Sequence, residues 1–172
     1  FRSRMIVHKR DRTVQCGPNA TWLFEDCLTV QYQVQEMLRI ERIFEPAGIQ
    51  EELAAYNPLI PDGGNWKATM MIEYPDARER AIALAKLRGV EDCCYVEAGG
   101  CSRVIAIADE DLERENAEKT SAVHWLRFEL PAAMQAAVRA GAEITVGVDH
   151  PAYRHSAVLP AATVQSLVRD LG

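Results

Sequence analysis

"DCCYVEAGGCSRVIAIAD", residues 92–109, decides the fold class. Two runs rich in Cys, Tyr, Val and Ile flank Gly99-Gly100, and a glycine pair accepts the positive-φ backbone of a tight hairpin turn. A hairpin is antiparallel by construction, so the strands around it point to an antiparallel sheet. Cys93 and Cys94 are consecutive in a strand and point to opposite faces, so they are not a chelating pair. With a two-residue turn, Cys101 falls on the face of Cys94, two pairs up the ladder.

Downstream, "SAVHWLRFEL" (121–130) alternates as a strand, and Pro131 opens a helix that Gly141 closes. "EITVGVD" (143–149) is a strand, residues 150–160 read as a loop, and 161–171 as a terminal helix. Upstream, "WKATMMIEY" (66–74) is a strand and Pro75-Asp76 starts a helix that Gly89 ends. "IQEELAAYNPLIP" (49–61) begins helical and ends extended. Residues 4–25 read as β structure, with a hairpin turn at Arg10-Asp11 and a further strand at 20–25. Asp26 caps a long helix that runs to about Phe44. Val30, Val34, Met37 and Phe44 form its stripe, and Leu38, Ile40 and Ile43 spread the apolar surface around it. A helix apolar on most sides is expected to be covered on most sides. The pattern predicts an α+β fold: a mainly antiparallel sheet built from hairpins, packed against one long central helix and two or three shorter ones, in a single domain over 1–172.

The chain has 172 residues, is 48% hydrophobic and 26% charged, and carries a net charge of −6. That charge argues against nucleic acid, whose phosphates require clustered positive charge. No run approaches the roughly 18–20 apolar residues of a membrane span, and no signal-peptide pattern occurs. Because the chain begins at Phe1, further residues are expected before it. Five cysteines, an odd number with no CxxC, fit a reducing compartment, so a cytoplasmic location with free thiols is expected.

Four groups of residues are candidates for chemistry. In "QEMLRIERIFE" (35–45), Glu36, Arg39, Glu41 and Arg42 would be partly buried and would need partners. They are read either as a carboxylate–arginine cluster that grips a ligand or as a structural ion-pair network. A di-iron helix signature is excluded, because no histidine occurs between His8 and His124. The second group is His124, Asp149, His150 and His155, with Tyr153 as a further ligand-binding candidate. Alternation puts His124 on a face with Ala122, Leu126 and Phe128. If strands 121–130 and 143–149 are neighbours, His124 and His150 meet at one end of the sheet and offer ligands suited to zinc or iron. The plainer alternative is a core histidine and an Asp-His-Pro turn. Cys27, at a helix start, is the best reactive-thiol candidate, against the reading of each cysteine as a small buried hydrophobe. "EDLERENAEK" (110–119) is a solvated face or a docking surface for a basic partner. Nucleotide-binding and nucleophile-elbow motifs are absent.

"FEDCLTVQYQVQEMLRIERIFE", "EELAAYNPLIPDGGNWKATMMIEYPD", "IADEDLERENAEKTSAVHWLRFEL" and "VDHPAY" together resemble the bacterial DUF3501 family, over most of the chain. The resemblance implies a small soluble protein encoded beside rubrerythrin-like and iron–sulfur proteins of the heterodisulfide-reductase type. Those proteins are its expected partners, and redox or oxidative-stress duty its expected setting. It implies no activity and no catalytic residue. The functional expectation is a redox-associated binding or accessory protein that holds a metal, a small ligand or a partner. The alternative is a small metal-dependent or acid–base enzyme centred on His124, Asp149 and His150. Whether it forms a homo-oligomer is left open.

Overall fold

The computed structural model describes residues 2–110, 116 and 118–172. The candidate segment 110–119 falls largely outside the described residues.

The chain opens with α1 (Arg2–Arg10), β1 (Thr13–Gln15) and β2 (Ala20–Phe24), followed by α2 (Cys27–Glu41) and α3 (Pro46–Tyr56). Then come β3 (Asn65–Ile72), α4 (Ala77–Lys86), β4 (Cys94–Ala98), β5 (Val104–Ile105) and β6 (Ile107–Ala108). The remaining elements are β7 (Val123–Glu129), α5 (Ala132–Arg139), β8 (Ile144–His150), β9 (Tyr153–Val158) and α6 (Ala161–Val168). Among the described residues the strands form two antiparallel sheets, a five-stranded one in the order β1-β2-β3-β7-β6 and a four-stranded one in the order β5-β4-β8-β9. The α+β class and the antiparallel pairing therefore stand. At Ala106 the chain steps from β5 in the smaller sheet to β6 in the larger one.

Alternation gives each sheet a dry face. Trp22, Phe24, Trp66, Met70, Leu126 and Phe128 from the larger sheet share one hydrophobic cluster with Cys94, Val96, Ile144, Val146 and Val148 from the smaller. Burial of this apolar surface is the main source of stability. Trp22 stacks on Phe128 with centroids 5.6 Å apart, a geometry that adds to the area buried.

Local signals set several boundaries. Asp26 accepts from the Thr29 amide while the Thr29 hydroxyl accepts from the Asp26 amide, a reciprocal cap that fixes the start of α2. Asp76 caps α4 through the amides of Arg78 and Glu79. The loop joining β4 to β5 is longer than a two-residue turn. Tyr95 pairs with Ile105 and Val96 with Val104, and residues 99–103 connect the two strands, with Gly99 and Gly100 at positive φ.

Three expectations are corrected. Residues 2–10 are helical, and only Met5 of that helix is buried. A short apolar run such as "MIV" does not separate helix from strand, and His8, Lys9 and Arg10 suit the negative end of a helix dipole. Residues 153–158, expected in a loop, form β9, which pairs with β8 from His150↔Tyr153 to Thr145↔Val158. Pro151-Ala152 is the two-residue connection of that hairpin, a place where the missing proline N–H costs no ladder bond. Finally, α2 is not covered on most sides. Only Thr29, Val30 and Val34 are buried in it, while Ile40 and Phe44 are 61% and 79% exposed. Its flanks carry α1 and α3, and its last turn, ending at left-handed Arg42, overhangs.

The buried ion pair lies elsewhere. Arg12, 1% exposed, donates to the Phe24 and Glu25 carbonyls, to Ser166 and to both oxygens of Asp170, the shorter contact at 2.5 Å. It also lies 3.4 Å from Asp26 Oδ2, the same oxygen that His8 Nε2 meets at 2.6 Å. Burial pushes the Asp170 carboxyl up against the pull of Arg12. This cluster joins β2, the start of α2 and the turn after α6.

Candidate functional site

The expected grouping of candidate residues does not form. β7 lies between β3 and β6, and β8 lies between β4 and β9, so His124 and His150 sit in different sheets. The intervening α5 carries the chain from one sheet to the other. His150 Nε2 faces the Arg88 carbonyl at 3.0 Å, and its Nδ1 accepts from the Ala152 amide. Asp149 is exposed and is paired with Arg154 and Arg103. His155 is exposed and leans on the Tyr153 ring, 4.6 Å between centroids. The Tyr153 hydroxyl donates to the Cys16 carbonyl and accepts from the Asn19 amide, so it ties the β8–β9 hairpin to the turn between β1 and β2. On α2, Glu36 and Arg39 pair on the surface, and Glu41 and Arg42 are exposed. The buried carboxylate–arginine cluster expected there does not form, because among the described residues nothing buries these side chains at the last turns of α2.

His124 itself is fully buried and sits in a polar network. Its Nδ1 donates to Asp109 Oδ2 at 2.5 Å, and its Nε2 lies 3.1 Å from both Thr120 Oγ1 and the Ser121 carbonyl. Glu91 Oε2 is 3.9 Å from Nε2 and 3.4 Å from the Thr120 hydroxyl. Asp109 follows β6 in the left-handed region, φ 49°, a conformation aspartate tolerates better than most residues. Its other oxygen accepts from the Trp125 amide, which locks the carboxylate to β7. Burial opposes charge on the imidazole. The Asp109 hydrogen bond and charge, helped by Glu91 and the Ser121 carbonyl, outweigh it and raise the His124 pKa above its ordinary value. Glu91, Asp109 and His124 offer ligand atoms that all lie within 4.8 Å of one another. A metal would be held through His124 Nε2 and Glu91, with Asp109 orienting the ring from its Nδ1 side.

A second site lies on the outer face of the five-stranded sheet. Helices α2 and α3 stand over this face without filling the space beneath. A cavity of about 430 Å³ is bounded by Leu23, Thr69, Met71 and Val123 from the sheet and by Val30 and Tyr56 from the helices. A neighbouring one of about 290 Å³ runs past Ala54, Pro58 and Ile107. Leu59 and Trp125 border both. Tyr56 and Trp125 face each other with centroids 6.0 Å apart. Glu25, 7% exposed, borders the larger cavity. Its two carboxylate oxygens accept from the hydroxyls of Thr29 at 2.5 Å and Thr69 at 2.6 Å.

The model of the family described as "Protein of unknown function (DUF3501)" matches residues 1–171. The chain belongs to the DUF3501 family. It is also similar to a novel protein of unknown function from Burkholderia pseudomallei K96243, known from a crystal structure at 1.90 Å resolution. The two are 50% identical, with a TM-score of 0.94 over 99% of this chain and 89% of the other. No curated protein matches the chain.

In this DUF3501 chain the five cysteines are free thiols. Burial pushes the Cys16 thiol up to about 11 and raises Cys94 well above its ordinary value, which makes both poor nucleophiles. Cys27 is exposed. No described helix of the DUF3501 chain is long and apolar enough to cross a membrane. Sequence reasoning missed Glu25, Tyr56, Trp125, Asp109 and Glu91. One signal was available. Strand alternation puts Trp125 on the face opposite His124, and a tryptophan on the outer face of a sheet calls for a cover.

Proposed function

We propose that this protein is a binding protein that holds a small molecule between the outer face of the five-stranded sheet and helices α2 and α3. The observation that carries the reading is the pair of adjoining cavities of about 430 and 290 Å³. Their walls are largely apolar, Leu59 and Trp125 stand at their junction, and Tyr56 and the buried Glu25 carboxylate border the larger one. Small-molecule sites combine concavity, apolar walls and a few placed polar groups in this way. The redox setting and the rubrerythrin-like or iron–sulfur partners implied by the family resemblance belong to this proposal as its context. They supply none of its residues.

The test follows the indole N–H resonances of Trp22, Trp66 and Trp125 while small aromatic and aliphatic compounds are added. Trp22 and Trp66 are buried at 0% exposure in the core, whereas Trp125 borders the cleft. A bound compound is expected to shift Trp125 and spare the other two, and Trp125→Leu should abolish binding. Compounds that bind while leaving Trp125 unmoved would rule the cleft out.

A second reading is favoured by the 4.8 Å grouping of Glu91, Asp109 and His124. In it, a zinc or iron ion held at His124 Nε2 serves acid–base chemistry. Purified protein is then expected to retain about one metal ion per chain, lost in His124→Gln. Equal metal content in both proteins would dismiss it.

A further inference from the structure

The larger cavity is lined by two charged side chains, Lys9 and Glu25, and they are held differently. The cations bordering the two cavities have contacts to protein groups. Lys67 Nζ donates to the Pro58 carbonyl at 2.6 Å, and Arg127 is paired with Glu110 and Glu129. Lys9 Nζ stands over the Tyr32 ring, 5.0 Å from its centroid. Glu25 differs. It is more than nine-tenths buried, and its carboxylate is held by two hydroxyls. Among the described residues no Lys, Arg or His pairs with that carboxylate. Arg12 reaches Glu25 only through the backbone carbonyl.

A buried carboxylate without a counter-charge is costly, and hydroxyl donors offset only part of that cost. Each carboxylate oxygen has a second lone pair, so two further hydrogen bonds can be accepted from inside the cleft. Tyr56 and Trp125 line the same cavity as Glu25, and aromatic faces attract cations. We infer that the cleft binds an organic ammonium ion with an apolar or aromatic body, Glu25 serving as its counter-ion and Tyr56 and Trp125 as its aromatic wall. This rests on the cleft being a binding site. It adds the sign of the ligand's charge and the residue that reads it. Thr29 and Thr69 act as positioning residues, aiming the carboxylate through its two outer hydrogen bonds.

Three probes of nearly equal shape test the inference: phenethylammonium, 2-phenylethanol and phenylacetate. Each is titrated into the full chain by calorimetry, with the Trp125 indole resonance as the site marker. The expected order is phenethylammonium first, about tenfold tighter than 2-phenylethanol, with phenylacetate weakest. Glu25→Gln keeps the shape but removes the charge, with one hydroxyl turning from donor to acceptor at the new amide nitrogen, so the ratio of amine to alcohol affinity should fall to about one. Thr69→Val, which frees one carboxylate oxygen, should reduce the preference and provides a second variant should the first not fold. If the alcohol or the acid binds at the Trp125 site as tightly as the amine, the ammonium inference is overturned and the cleft reading survives. The same holds if Glu25→Gln keeps the preference. If none of the three moves Trp125, both fall.

Discussion

Replacing Arg12 by Ala is expected to lower stability by about 3–5 kcal/mol, because it leaves a buried carboxylate without its partner. For a chain of this size that is a fall of about 6–20 °C in melting temperature. The guanidinium is 1% exposed and every one of its contacts is to a different strand, turn or helix end. Its removal strands Asp170, which is only 9% exposed, and leaves the Phe24 and Glu25 carbonyls without donors. Lysine would not rescue it, since a single ammonium cannot reproduce the fork that serves two carbonyls and a carboxylate at once. The comparison variant is Glu41→Ala. Glu41 is exposed at the end of α2, so its loss should change stability by no more than about 0.5 kcal/mol. Thermal and denaturant melts of the two variants check this. Equal effects would show that the Arg12 cluster contributes nothing beyond its surroundings.

His124→Gln should destabilise the chain by about 3–5 kcal/mol at pH 6, for the same reason of a broken buried pair. Its signature is the pH dependence. Burial is the largest single influence on His124 and lowers its pKa, but the Asp109 hydrogen bond and charge, with Glu91 and the Ser121 carbonyl, together outweigh it and raise the folded-state pKa above its ordinary value. In the unfolded chain the imidazole titrates near ~6.5. Between that value and the raised one the folded state holds the extra proton, so stability falls as pH rises. The stabilisation from the His124–Asp109 pair is therefore full below about 6.5 and is lost as pH climbs through the folded value. With chelator present, the stability difference between parent and His124→Gln should shrink steadily from pH 6 to pH 9. A difference that stays flat or widens would mean the imidazole is neutral in the folded protein. Proton and metal compete for Nε2, so added zinc should flatten the same profile if the ion binds there.

The sequence made some of this legible because some of the causes are local. Asp26 and Thr29 cap one another three residues apart, and Gly99-Gly100 turns its own hairpin. His124 was placed correctly on the dry face beside Leu126 and Phe128, since alternation is a property of one strand. What it bonds to was not legible. Asp109 and Glu91 reach it from two other segments, and the left-handed turn at Asp109 leaves no mark in composition. The assumption that consecutive strands are neighbours failed because α5 takes the chain to the other sheet. Arg12 carried no local signal at all, since its main partner lies 158 residues further on. The cleft is least legible of all. Its walls come from many separate elements, and what makes it a cleft is that α2 and α3 do not descend fully onto the strands.

The route of the chain between its sheets has a consequence for how the protein is made. β1–β3 belong to the larger sheet, β4 and β5 to the smaller, β6 and β7 to the larger again, and β8 and β9 to the smaller. On the ribosome, the larger sheet must wait for β7, which fills the slot between β3 and β6, and the smaller must wait for β8. No early stretch of the nascent chain can finish either sheet by itself. Until residues near 150 emerge, the Trp-rich face of β2 and β3 has only part of its cover, and unpaired strand edges invite wrong partners. Non-local pairing of this kind also slows folding. The nascent chain is therefore a natural client for chaperones that shield apolar strands until residues near 150 have emerged.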